Sequence, residues 1–138
     1  MANQAHIDIL NQGMDVWNRW REENPYVLVD LNGANLREVN LRGYNLSLAY
    51  LQSANLELAD LSDADIRKAE LGWANLSYAK LRRANLSDAN LHWANLSNTD
   101  TGTSCLRRTR FSGTELCGAD FSRTLMQMPS RLLCSDVT

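Results

Sequence analysis

The chain has 138 residues, 44% of them hydrophobic and 22% charged, with 14 basic and 16 acidic side chains. That length allows one domain, and the balance is that of a folded protein and not a disordered one. A net charge of −2 argues against a dominant basic surface for nucleic acid.

No apolar run approaches the roughly 18–20 residues that span a bilayer. The start "MANQAHIDIL" lacks the charged region and cleavage site of a signal peptide, so a cytoplasmic chain with no membrane contact is expected. The three cysteines Cys105, Cys117 and Cys134 match neither a disulfide framework nor a zinc clamp, and are read as small semi-buried thiols in a reducing compartment.

Residues 1–26 are expected to be helical. Ile7, Leu10, Met14 and Trp17 fall at helical spacing over residues 4–23, with Asn3 as N-cap and Pro25 stopping the run. Gly13 weakens such a helix by about 1 kcal/mol relative to Ala, so packing against the rest of the chain has to hold it. Glu22, Glu23 and the net negative charge of this segment argue against an anionic membrane as its target.

From residue 27 the sequence repeats. Every fifth residue from Leu31 to Leu96 is Leu, apart from Ile66; Thr101 breaks the series, and Leu106, Phe111, Leu116 and Phe121 resume it. Two places earlier stands a small residue, Ala34 and then every such position from Ala49 to Ala94, usually followed by Asn or Asp. A helix of 3.6 residues per turn would smear this period around its surface, and a strand of period 2 would send alternate leucines to opposite faces. The pattern works if the chain turns a corner every five residues with both apolar positions inward. Four corners close a square of about 20 residues, and squares stack at roughly 4.8 Å through parallel backbone hydrogen bonds. Each coil is then stable only because a neighbour covers it.

The phrase "ANLSDANLHWANL" resembles the pentapeptide-repeat family, whose motif is A(D/N)LXX, and the resemblance covers about residues 27–126. The segment "HIDILNQGMDVWNRWREENP" followed by "DLNGANL" resembles the leader of many cyanobacterial members. The resemblance implies an all-β solenoid: a right-handed quadrilateral parallel β-helix of about five coils with an N-terminal α-helical cap. Handedness comes from the resemblance and not from the spacing.

Within that frame, Val29, Val39 and Tyr44 replace Ala in the first coil, marking where the helix is expected to land. Thr99, Thr101 and Ser104 put hydroxyls where apolar residues belong, so a wider or distorted last coil is expected. The tail, residues 127–138 with Met126 just before it, carries Met128, Leu132 and Leu133. These are expected to cover the open end or to meet a second copy, since the resemblance also implies end-to-end homodimers.

Residues i and i+20 lie above one another, so the outward columns hold any binding function. One column runs Gly33, Ser53, Trp73, Trp93, Gly113 with His92 beside it; the next runs Glu38, Leu58, Tyr78, Asn98, Gly118. Stacked Trp73 and Trp93 rings with Tyr78 and Leu58 would form an exposed apolar patch. It is read either as a partner surface or as rings that brace adjacent coils. The Asn35, Asn55, Asn75, Asn95 column is expected to form an amide ladder along the stacking axis. Arg107, Arg108 and Arg110 make one dense basic spot, either a salt-bridged face or a site for an anionic partner.

The chain has only two histidines, and no Ser/His/Asp or Cys/His set, phosphate loop or metal spacing can be assembled. No catalytic residue, cofactor or metal is expected, and a packed axis leaves no small-molecule pocket. Two functions remain. One is a non-catalytic protein-interaction or scaffold module with an unknown partner. The other, implied by the resemblance, is mimicry of duplex DNA to inhibit or protect DNA gyrase. A mimic has to be strongly negative to enter a basic groove. Residues 27–126 hold eleven acids and eleven bases, so the coil is neutral. Five coils at about 4.8 Å also span only about 24 Å, roughly seven base pairs. The interaction module is the expected function.

Overall fold

In the computed structural model, residues 1–124 are described. From Asp30 to Asp120 every fifth residue pairs with the residue twenty places on, always in parallel, beginning with Asp30 to Tyr50 and ending with Asp100 to Asp120. The chain therefore climbs as a square coil. The first wall is centred on Leu31, Leu51, Leu71 and Leu91, the second on Leu36, Leu56, Leu76 and Leu96. The third is centred on Leu41, Leu61 and Leu81, the fourth on Leu46, Ile66 and Leu86.

Each wall contributes one paired residue per coil, so the corners do much of the hydrogen bonding. Around Leu56, for example, the Asn55 N–H donates to Ala34 O (2.9 Å), Leu56 N–H to Asn75 O (2.7 Å) and Leu58 N–H to Ser77 O (3.0 Å). The Ala59 N–H closes the corner onto Leu56 O (3.0 Å). Positive φ at the third residue of these corners, as at Leu58 (60°) and Trp73 (57°), is the signature of a type II turn. Thirteen non-glycine residues adopt it. The left-handed region costs an L-residue about 1 kcal/mol, and in eleven of the thirteen an inter-coil bond made by that residue's N–H offsets the cost.

One N–H per pentapeptide, on the residue after the central Leu, has no backbone acceptor. The Asn or Asp before the Leu supplies one. Asn35 Oδ1 accepts from Arg37 N (3.3 Å), Asn55 from Glu57 N (3.1 Å), Asn75 from Ser77 N (3.1 Å) and Asn95 from Ser97 N (2.9 Å). Asp60, Asp65, Asp100 and Asp120 do the same. This corrects the expected amide ladder: the column bonds along its own chain as Asx turns, and a bond between coils such as Asn90 Nδ2 to Glu70 Oε2 (2.7 Å) is the exception. A buried N–H left unpaired is costly, and that selects Asn or Asp at this place in the repeat.

The core is a single file of side chains. The central residues from Leu31 to Leu96 are at most 2% exposed, as are the alanines from Ala49 to Ala94. At the irregular end the twenty-residue register persists through Lys80, Asp100 and Asp120, so the coil is not wider. The departure lies at two corners of the third wall, Thr101–Ser104 and Phe121–Thr124, where the third residue has no positive φ. Between Thr101 and Ser104 the positive φ moves to the second residue, Gly102 (41°). Thr101, fully buried, turns its hydroxyl onto the Asp120 carbonyl. The tail with Met126, Met128, Leu132, Leu133 and Cys134 lies outside the described residues.

The N-terminal segment forms two helices instead of one, α1 (Gln4–Leu10) and α2 (Met14–Glu23). Asn3 caps α1 through Ala5 N (2.9 Å). Gly13, at φ 103°, breaks the run, and the break turns α2 so that Trp17 and Arg21 are buried. The helices supply what a preceding coil would have supplied. Asn3 N donates to Asp30 O (3.0 Å) and His6 Nδ1 accepts from Asp30 N (3.0 Å). Trp17 Nε1 donates to Asn45 O (2.8 Å), Asn18 Oδ1 accepts from Asn45 N (2.8 Å), and Arg21 Nη2 donates to Ser47 O (2.7 Å). Burial pushes the Arg21 guanidinium below its ordinary value, against the opposing charge of Asp65. Tyr44, an outsize residue at a small position, packs near Trp17 (6.4 Å between rings) and donates to Leu10 O (3.2 Å). Among the described residues no helix is long and apolar enough to cross a membrane.

Candidate functional site

The second wall lies between two apolar edges. Trp73 (63% exposed) and Trp93 (60%) stand at its corner with the first wall, and Leu58 (41%) and Tyr78 (55%) at its corner with the third. Between them the wall surface holds Asn75, Asn95, Ser77 and Ser97, with no charged residue in residues 74–78 or 94–98. The type II corner places these four apolar side chains outside, because its third residue points away from the axis while the Leu and Ala point in.

The two tryptophans do not stack. Aromatic contacts among the described residues lie at the N-terminal end: His6 with Trp20 (5.4 Å), Trp17 with Trp20 (5.3 Å) and Trp17 with Tyr44. Trp93 instead leans over the next coil, where its indole fills the space a Cβ on Gly113 would need. His92 is half-buried; its backbone N–H is held by Asn90 Oδ1 (3.1 Å) and its carbonyl by Trp73 N (2.9 Å). Sequence reasoning missed a third apolar corner, Leu28 (68% exposed) one coil below Leu48 (55%). The same twenty-residue spacing links them and would have exposed the pair.

Ion pairs gather on the third and fourth walls, and on the second wall Arg37 pairs with Glu38 and Glu57 in its first two coils. Asp63 receives both Nε and Nη2 of Arg83 (2.6 and 2.9 Å) and Nη2 of Arg42 (3.1 Å). Asp88 receives Arg108 in the same two-pronged way (2.6 and 2.9 Å), and Arg82 meets Asp100 (3.3 Å). The expected spot of Arg107, Arg108 and Arg110 is thus not three free cations, since Arg108 is already paired one coil down. Ser87 Oγ lies 3.1 Å from Cys105 Sγ, and Cys117 is exposed on the second wall. Among the described residues no group of His, Cys, Asp or Glu could hold a metal ion.

These pairs make acid stability testable. Hydrogen bonds from Arg83 and Arg108 hold the Asp63 and Asp88 carboxyls below the usual carboxylate range. A depressed folded-state pKa adds stability above the unfolded value, about 3.9 for Asp, and that stability is lost as pH falls through the folded value. The denaturation midpoint is therefore expected to be level from neutral pH to about 5 and to fall below about 4. In Asp63→Asn/Asp88→Asn the fall should be shallower; an unchanged acid limb would mean that the pairs add nothing.

Eight copies of the Pentapeptide repeats model match the chain, over residues 29–67, 45–82, 64–100 and 104–127. The chain belongs to the pentapeptide-repeat family. Among solved pentapeptide-repeat structures, one from the cyanobacterium Cyanothece is 33% identical with a TM-score of 0.50, over 64% of this chain and 65% of that one. The chain thus spans just under two thirds of that neighbour. A pentapeptide repeat protein of the Arabidopsis thaliana thylakoid lumen is 31% identical (TM-score 0.41, 73% and 71% covered). One from the cyanobacterium Nostoc is 30% identical (TM-score 0.42, 73% and 77% covered). No curated protein matches the chain. The pentapeptide-repeat assignment carries the β-helix fold, and the relatives name no partner or chemistry for this chain.

Proposed function

We propose that this pentapeptide-repeat protein is a non-catalytic, cytoplasmic interaction module, a right-handed solenoid of about five coils with α1 and α2 as its cap. Its partner docks on the second wall, between the Trp73/Trp93 edge and the Leu58/Tyr78 edge. The exposure of two tryptophans beside a stretch of wall without charge, residues 74–78 and 94–98, carries this reading, since large aromatic side chains and excluded charge mark the centres of protein interfaces. DNA mimicry ranks below it because the coil's acids and bases balance and many of the acids are tied to arginines. The enzyme reading ranks last, since among the described residues nothing pairs a nucleophile with a histidine base.

The test is quantitative capture from native lysate with wild type and with Trp73→Asn/Trp93→Asn. Asn tolerates the positive φ of both corners, so the variant should fold with its thermal midpoint within about 3 °C of wild type. Loss of a specific captured protein by at least about tenfold is expected. A folded variant that keeps every captured partner sinks the proposal. Inhibition of gyrase supercoiling at low micromolar protein would favour mimicry instead.

A further inference from the structure

The N-terminal edge of the stack is covered on two walls and open on two. On the first wall Asn3 and His6 pair with Asp30; on the fourth Trp17 and Asn18 pair with Asn45, and Arg21 with Ser47. On the second and third walls the equivalent groups are the backbone N–H and C=O of Asn35 and Asn40. Among the described residues none of these four groups has a hydrogen-bond partner. Burial follows the same division. Asn35 and Asn40 are exposed while Asp30 and Asn45 are half-buried, and Val39, an inward residue, is only partly covered where Val29 and Tyr44 are buried. Beside the open third wall lies a groove of about 530 Å³ between Met14 of α2 and Asn40, Arg42, Tyr44 and Asp63.

We infer that this half-open edge is a docking site for an extended, uncharged peptide segment of a partner protein, added as a further strand. Within the stack a preceding segment accepts from residue i−1 and donates to the carbonyl of the same residue, as residues 34 and 36 do with Asn55. A segment of about eight residues turning one corner satisfies both Asn35 and Asn40 in this way. A small apolar side chain at the corner covers Val39, and the next reaches the groove between Met14 and Tyr44. Charge sets the composition of the segment. The rim ions are already neutralised, Arg42 by Asp63 (3.1 Å) and Arg37 by Glu38 and Glu57, so backbone bonds and apolar contact have to hold it. A second copy cannot stack here, because a whole coil covers four walls and α1 and α2 occupy two of them. This site is separate from the aromatic edges of the second wall.

The probe is a synthetic, end-blocked repeat peptide, SANLSSANLS, added to the full chain. At about millimolar peptide, hydrogen exchange at the Asn35 and Asn40 amides is expected to slow by at least about tenfold, with Asp30 and Asn45 unchanged. The Asn35→Pro/Asn40→Pro variant removes two backbone donors that make no internal bond, a change that edges tolerate, together with the Asn acceptors for Arg37 N and Arg42 N; it should weaken peptide binding, read by titration calorimetry, at least about tenfold. If that variant does not fold, the wild-type exchange pattern alone decides. Unchanged exchange at Asn35 and Asn40, or equal slowing at all four amides, overturns the site. Slowing that grows with protein concentration without peptide overturns the choice of occupant in favour of a second copy.

Discussion

Trp17→Ala is expected to cost about 4 kcal/mol and to lower the thermal midpoint by roughly 10–15 °C. Trp17 is completely buried, and its indole lies among Trp20, Tyr44 and the first coil. Its Nε1 also satisfies the Asn45 carbonyl at 2.8 Å, so truncation both opens a cavity and strips an acceptor at the end of the stack. Trp17→Phe separates the two effects. It keeps most of the apolar contact and loses the donor, so about 1–2 kcal/mol is expected. Thermal and urea unfolding of the three proteins give the comparison. A shift below about 3 °C for Trp17→Ala would mean that the helices sit on the coil without stabilising it, and that Val29 and Tyr44 are buried for some other reason.

The period of five, with Leu and Ala in fixed relation, showed the square coil in the sequence, because no other backbone keeps both columns inward. The Asn/Asp column was misread for a physical reason. An in-register amide can bond along the stack or along its own chain, and periodicity is the same either way. Counting backbone donors decides it. Four N–H groups per pentapeptide find backbone acceptors and the one after the central Leu does not. The break at Gly13 was visible only as a weakness of the helix, since sequence spacing does not tell a bent helical run from two helices. The exposure of Trp73 and Trp93 followed from their place in the repeat. Their failure to stack did not, because ring orientation depends on how a left-handed corner aims its side chain. Of the two readings of the basic spot, the salt-bridged face applies to Arg108, whose partner Asp88 is twenty residues away in sequence and one coil away in space.

The second large effect is expected at the axis. Leu76→Ala removes three buried carbons, a methine and two methyls, from a core one residue wide, with Ala74 and Ala79 beside it, all at most 1% exposed. In a thick core, neighbours move in to shrink such a cavity. Here they cannot, because the wall is fixed from both sides: Asn75 N to Ala54 O (2.9 Å), Leu76 N to Asn95 O (2.7 Å) and Tyr78 N to Ser97 O (2.9 Å). The cost should therefore approach the upper end for Leu to Ala, about 4–5 kcal/mol. Ser77→Ala, in the same pentapeptide, loses only a hydroxyl bonded to Asn75 Oδ1 and should cost below about 1 kcal/mol. Because each coil is held only by its neighbours, the position of Leu76 makes the mutation a test of cooperativity as well. A single urea transition, shifted to lower midpoint with unchanged slope, is expected if the stack unfolds as one unit. Two separated transitions would show that the coils on either side of Leu76 fold independently, and the cap at α1 and α2 would then stabilise only the N-terminal one.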